Sequence, residues 1–150
     1  VENIFDPAVT EIQIRRLQAL RPDSRPEWGK MNVGQMLAHC CVPYEMVYET
    51  IHPRPNALVR LLLKAFVKKG VVGEKPYPKN SPTAPAFKIT DTRDFQRERD
   101  RLIAYLKRTQ ELGRDHFDGR ESLSFGPLTA DEWNGLFYKH LDHHLTQFGV

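Results

Sequence analysis

His140, His143 and His144 fall within five consecutive positions near the end of the chain, half of its six histidines. Residues four apart on an α-helix stack on one face, so His140 and His144 can bring their rings to one point. Two imidazoles converging on one point are the beginning of a metal site. The same stripe carries Trp133, Phe137 and Phe148, which marks it as core-facing. An imidazole buried there without a partner costs roughly 1–3 kcal/mol in lost hydration, a cost a shared cation removes. Spacing alone leaves two readings open: histidines hydrogen-bonded at the edge of a core, or ligands to one ion.

Two ligands rarely suffice, and His39 is the best third, in a second helical stretch among the core-type residues Met36, Leu37 and Ala38. His143 points about 60° to one side of His140 and reads as a rim or supporting residue. Gln147, three residues after His144, could orient a ligand or substrate, with a surface amide as the rival reading. Tyr44 and Trp133 could line a pocket, with core packing as their rival. No general base stands out: Glu132 is engaged in helix capping, and Asp142 is turned about 160° from His140. His52 lies in a Pro-rich loop, and His116 suits a helix C-terminus, where the dipole favours it. Cys40 and Cys41 are adjacent and cannot readily bridge. Cys40 diverges by about 100° from His39 and reads as a small buried apolar residue.

The elements that must position these groups are helical. A first helix is expected over residues 7–20, capped by Asp6 with Pro7 at its first position and an apolar stripe of Val9, Ile12, Ile14, Leu17 and Leu20. A second begins at Asn32, which with Gln35 has capping-box spacing; Pro43 falls inside it. Residues 57–69 form a short, very apolar helix with Arg60, Lys64 and Lys68 along one side, ended by Gly70. That helix reads as a core or dimer contact with snorkelling cations; resting on a membrane is the less simple alternative. Pro76, Pro78, Pro82 and Pro85 exclude helix from the next stretch. A long charged helix over residues 92–114 follows, capped by Asp91 or Thr90. The last helix starts at Thr129, again with capping-box spacing to Glu132. No strand-like alternation is present. The expected fold is all-α: a four-helix bundle with one short extra helix and a long Pro-rich crossover, as a single domain over 1–150.

Bulk composition narrows the function. A net charge of +3 over 150 residues does not support nucleic-acid binding. No apolar run approaches the ~20 residues of a membrane span, and no signal-peptide pattern opens the chain. A cytoplasmic protein with no membrane partner and no disulfide framework is expected.

Residues 28–39 (Trp28-Gly29-Lys30-Met31-Asn32-Val33-Gly34-Gln35-Met36-Leu37-Ala38-His39), the run Phe125-Gly126-Pro127-Leu128-Thr129 with Glu132-Trp133, and the tail 138–150 resemble the DinB-like superfamily of small metal-binding four-helix bundles. The likeness spans nearly the whole chain and is greatest to a domain-of-unknown-function branch that shares this tail. It implies a divalent metal held by one histidine of the second helix and two of the last, spaced HxxxH. Here those are His39, His140 and His144, with zinc first and nickel or iron as alternatives. It also implies a small-molecule substrate, with a low-molecular-weight thiol as a candidate cosubstrate. The expectation is a metal-dependent transferase or hydrolase, homodimeric. The rival is a non-catalytic dimeric binding bundle with a structural metal or none.

Overall fold

The computed structural model describes all 150 residues. In chain order its helices are α1 (Pro7–Ala19), α2 (Val33–Tyr48), α3 (Ala57–Leu62), α4 (Lys68–Val72), α5 (Phe95–Phe117) and α6 (Ala130–Gln147). A π turn, Leu63–Val67, joins α3 to α4, and a 3₁₀ turn, Pro85–Phe87, lies in the crossover to α5. The four long helices make the bundle, with α2 packed on both α5 and α6. No helix is long and apolar enough to cross a membrane.

Local chemistry sets the helix starts. The Asp6 carboxylate accepts from the Ala8 N–H at 2.8 Å, with Pro7 in the first turn. Asn32 and Gln35 bond each other's backbone N–H reciprocally (2.9 and 3.1 Å), as do Thr129 and Glu132 (3.2 and 3.0 Å). Each pair satisfies two otherwise orphaned N–H groups. Helix α2 continues through Pro43, whose missing N–H leaves the His39 carbonyl without its usual helical donor.

Several expectations are corrected. Helix α5 starts at Phe95, because the Asp94 carboxylate captures the Arg97 N–H at 2.7 Å and so caps in place of Asp91 or Thr90. Its helical path is interrupted at Gly113, which adopts φ 75° and ψ 172°. In α1, Ile12 is exposed while Thr10 and Gln13 are buried. Thr10 tolerates burial because its hydroxyl donates to the Ile4 carbonyl at 2.6 Å. The short apolar helix does not stop at Gly70. It runs on to Val72, and the Lys139 ammonium donates to the Gly70 and Gly73 carbonyls at 2.9 and 2.5 Å. Gly135 lets Val72 approach α6, since a Cβ there would collide with the Val72 carbonyl. The helix is also not a core element: Leu58, Leu61, Leu62 and Phe66 are all exposed. Finally, a small antiparallel hairpin, β1 (Glu121–Ser122) with β2 (Gly126–Pro127), precedes α6, with Ser122 opposite Gly126. The architecture remains all-α.

The core lies between α1, α2, α5 and α6, around Leu17, Met36, Leu37, Leu102, Leu106 and Leu141. Tyr44 stacks on Phe137 at 4.7 Å, and Phe137 on Trp133 at 5.4 Å. This aromatic column lies on the same α6 stripe as the histidines and anchors that helix against α2.

Candidate metal centre

Helix α2 presents His39, and α6 presents His140 and His144, to one point between the two helices. The ring centroids lie 4.8 Å apart for His39 and His140, 4.5 Å for His39 and His144, and 4.9 Å for His140 and His144. One nitrogen from each ring falls within 4.8 Å of the others. His39 and His144 are buried, and His140 is half-buried.

The outer nitrogens are tied down. His39 Nδ1 lies 2.8 Å from the Phe87 carbonyl. A carbonyl only accepts, so Nδ1 carries the proton and Nε2 keeps its lone pair. His144 Nδ1 lies 2.7 Å from Gln147 Oε1, while Gln147 Nε2 donates to the Trp28 carbonyl at 2.6 Å. That second bond fixes the amide's orientation, and so His144 too donates outward from Nδ1 with Nε2 free. Gly29, at φ 82°, is required here: a Cβ on it would lie 2.6 Å from Gln147 Nε2. His140 Nε2 lies 2.9 Å from His39 Nε2. With His39 Nε2 an acceptor, His140 Nε2 is the donor of that pair, and the other tautomer, with Nδ1–H, would offer a third lone pair to an ion.

The donor set fits a divalent ion. Two imidazole nitrogens at about 2.0–2.1 Å from zinc stand about 2.9 Å apart at a right angle and about 3.3 Å apart at the tetrahedral angle. The 2.9 Å between His39 and His140 matches the right-angle spacing, and all three nitrogens lie within 4.8 Å of one another. Outward Nδ1–H bonds to a carbonyl or amide oxygen are how ligating histidines are usually held.

A scan of protein-family models matches the DinB superfamily over residues 9–148. The chain belongs to the DinB superfamily. Searches of the curated proteins and of the solved structures return no match. In this DinB chain, the three histidines that the sequence likeness singled out are the ones the fold brings together, and they form a cluster able to hold a divalent ion.

Burial keeps all three rings neutral. It lowers His39 despite the hydrogen bond to Phe87, and lowers His140 well below its ordinary value, helped by the neighbouring rings. It pushes His144 down to about 3, again with His39 adding to the effect. Neutral imidazole is the ligating form. The thiols are the opposite case. Burial pushes Cys41 up to about 12 and Cys40 well above its ordinary value. Neither joins the cluster; Cys40 Sγ sits 3.7 Å from Met36 Sδ in the core.

The crossover covers the site. Phe87 meets His39 and His140 edge-on at 5.4 and 5.7 Å, and Tyr77 meets His140 and His143 at 6.3 and 5.7 Å. The Tyr77 hydroxyl donates to the Val71 carbonyl at 2.9 Å, and the Lys139 ammonium lies over its ring. Beside them opens a cavity of about 430 Å³ bounded by Trp28, Tyr77, Lys79, Lys139 and His143. His143 thus lies on the cavity wall, with its ring 5.0 Å from that of His144.

Of the other residues singled out from sequence, Gln147 is held against His144. Trp133 and Tyr44 belong to the buried aromatic column and do not border the cavity. Asp142 is ion-paired to Arg16 at 2.6 Å, and Glu132 caps α6 and also pairs with Lys68. Tyr77 and Phe87 were missed. They come from a stretch with no periodicity, and Phe87 contributes to His39 through its backbone carbonyl, which no side-chain pattern reports.

Proposed function

We propose that this DinB-superfamily chain is a divalent-metal-dependent enzyme acting on a small molecule by group transfer or hydrolysis. Zinc is the first candidate ion, and a low-molecular-weight thiol is a candidate cosubstrate. The observation that carries the reading is the set of three imidazoles aimed at one point, two of them with Nδ1 locked outward. Three protein ligands leave at least one position of a four-coordinate ion for substrate. An ion bound there supplies Lewis acidity, lowering the pKa of a coordinated water or holding a thiolate.

The chain's own residues do the rest. The Phe87 carbonyl and Gln147 hold the rings of His39 and His144 in one tautomer. Trp28, Tyr77 and His143 bound the cavity beside the ligands, where a small molecule would dock. His143 is the group placed to accept or return a proton at the cavity wall; burial lowers its pKa, so it rests neutral. Tyr77 and Phe87 exclude water from above.

A second reading, a structural ion in a non-catalytic bundle, is favoured by one observation: the cavity is bounded by His143 but not by the three ligands themselves. Cobalt(II)-loaded protein, prepared without a histidine tag, separates the two. The catalytic reading expects a visible absorption spectrum that changes on adding a small thiol or azide. A spectrum indifferent to every added thiol and anion leaves the structural reading standing. Failure to take up any divalent ion removes both.

A further inference from the structure

The cavity of about 430 Å³ beside the histidines carries charges of both signs, and they are sorted along α6. One end lies by His143. There the Lys79 ammonium rests 4.2 Å from the centre of the Trp28 ring, and that ring meets His143 at 5.7 Å. Burial lowers His143, with Asp142 opposing and the Lys79 charge reinforcing the shift, which puts that ammonium near the imidazole. The other end lies by Tyr138 and Lys139. Burial raises the Tyr138 hydroxyl, and Asp142 and Glu2 add to the effect. Glu74 follows directly on Gly73, whose carbonyl accepts from Lys139. Glu2 and Glu74 both border the cavity and are exposed. The other charges of the wall are engaged within the chain. Asp142 is held by Arg16 at 2.6 Å, and the Lys139 ammonium is turned onto the Gly70 and Gly73 carbonyls and the Tyr77 ring. Lys79, Glu2 and Glu74 are left without an ion pair.

We propose that this cavity takes a zwitterionic small molecule of dipeptide length, with its carboxylate at Lys79 and its ammonium at Glu2 and Glu74. The proposal rests on the functional reading only in calling that molecule a substrate. Length follows from the helix. Tyr138 and His143 are five positions apart, a rise of about 7.5 Å. Two extended residues of peptide span about 7 Å. A free α-amino acid, whose two charges sit on one carbon, is too short to reach both ends. Sign follows from the walls. A simple anion would face Glu2 and Glu74 at one end, and a simple amine would face Lys79 at the other; each like-charge approach is disfavoured. The Tyr77 ring, with Lys139 over it and His143 at its edge, spans the middle and offers apolar surface to a side chain. Volume agrees, since small-molecule sites occupy about 300–1,000 Å³.

An NMR titration with glycylphenylalanine and its N-acetyl and C-amide forms tests this, on the protein as purified and again after chelation. The chelated sample reads the cavity alone, because its walls include none of the three converging histidines. Val1 also borders the cavity, so its nitrogen is acetylated to remove a terminal amine as a competitor. The free dipeptide should shift the Trp28 indole N–H and bind at least about threefold tighter than either blocked form, the scale of one solvent-exposed charge contact. Lys79→Gln should erase the preference for the acid over the C-amide and keep that for the free amine over the N-acetyl form. Glu2→Gln combined with Glu74→Gln should do the reverse. All three positions are exposed, so helical circular dichroism should be unchanged. Equal binding of free and blocked dipeptides overturns the proposal, as does an unmoved Trp28 signal at about 10 mM dipeptide. A charge preference that survives all three substitutions overturns it as well. A cobalt spectrum that answers thiols in a protein indifferent to the dipeptide sinks this proposal alone. Dipeptide binding in a protein that takes up no ion sinks the functional reading alone.

Discussion

Helix α2 carries two buried polar clusters, one on each of its seams, and they are built on opposite plans. On the α5 seam, Glu45 and Glu98 are both buried, and all four of their carboxylate oxygens are engaged. Arg101 reaches Glu45 Oε1 and Glu98 Oε2 at 2.6 Å each, His52 reaches Glu45 Oε2 at 2.7 Å, and Arg93 lies 3.7 Å from Glu98 Oε1. On the α6 seam, His39 and His144 each have Nδ1 satisfied outward, His140 Nε2 donates to His39 Nε2, and His144 Nε2 keeps a lone pair turned into the cluster. The first cluster is closed by the chain itself. The second brings three neutral rings together with acceptor lone pairs on His140 and His144 that no protein donor meets. A buried ion pair completed by the protein is a structural device, costly only when one partner is removed. A buried set of lone pairs is completed by something that is not protein. Burial alone therefore does not distinguish a scaffold cluster from a functional one; what distinguishes them is whether donors and acceptors balance within the chain.

The largest expected effect breaks the open cluster. His39→Ala and His140→Ala should each lower divalent-metal content from about one ion per chain to near zero by elemental analysis, because binding free energy depends on the full ligand set. Retention of a full equivalent in both variants would show that the ion lies elsewhere. Next, Arg101→Ala strands two buried carboxylates and should lower unfolding free energy by about 3 kcal/mol in urea titration, with metal content unchanged. Should metal be lost at the same time in folded protein, the two seams are not independent. Gln147→Leu removes the acceptor of His144 Nδ1–H and should weaken metal affinity by about 10–100-fold without abolishing binding, as a chelator competition would read.

Acid should also separate the clusters. The metal-free rings are held neutral by burial, with His144 down to about 3, whereas the unfolded chain takes up protons near pH 6.5. Below that value the unfolded state binds more protons than the native state. Stability of the metal-free protein should be intact above about pH 6.5 and decline as pH falls toward 3. A chelator-treated sample that becomes more stable on acidification through pH 6 contradicts neutral burial of the three rings. The smallest effect is His143→Ala: metal content should stay at one ion per chain and unfolding free energy within about 0.5 kcal/mol, since His143 borders the cavity and is not one of the three converging rings.

Much of this organisation was legible in the residues. Both capping boxes, the Asp6–Pro7 start and the α6 stripe were readable because they depend on neighbours three or four positions away. The ligand trio was partly legible. The His140–His144 pair is local, but His39 had to be chosen by its company and by family likeness. The closed cluster was not visible: nothing near Glu45 in sequence announces His52, Glu98 and Arg101 as its surroundings. The core half of the expectation for residues 57–69 failed for the same reason. An apolar helix with a basic side reads as a core or dimer contact, and only the positions of Glu121 and Glu132 turn Arg60 and Lys68 inward.

Local spacing thus determined which segments are helical, where they begin, and that two imidazoles share a face of the last helix. Helix starts and faces are set by interactions within a turn or two, which a linear pattern records. Tertiary structure alone decided that the Phe87 carbonyl and the Gln147–Trp28 pair lock the rings of His39 and His144, and that one polar cluster is closed while the other stays open. Those outcomes depend on which groups meet across seams tens of residues apart in the chain, where the balance of buried donors and acceptors is set by packing and not by sequence order.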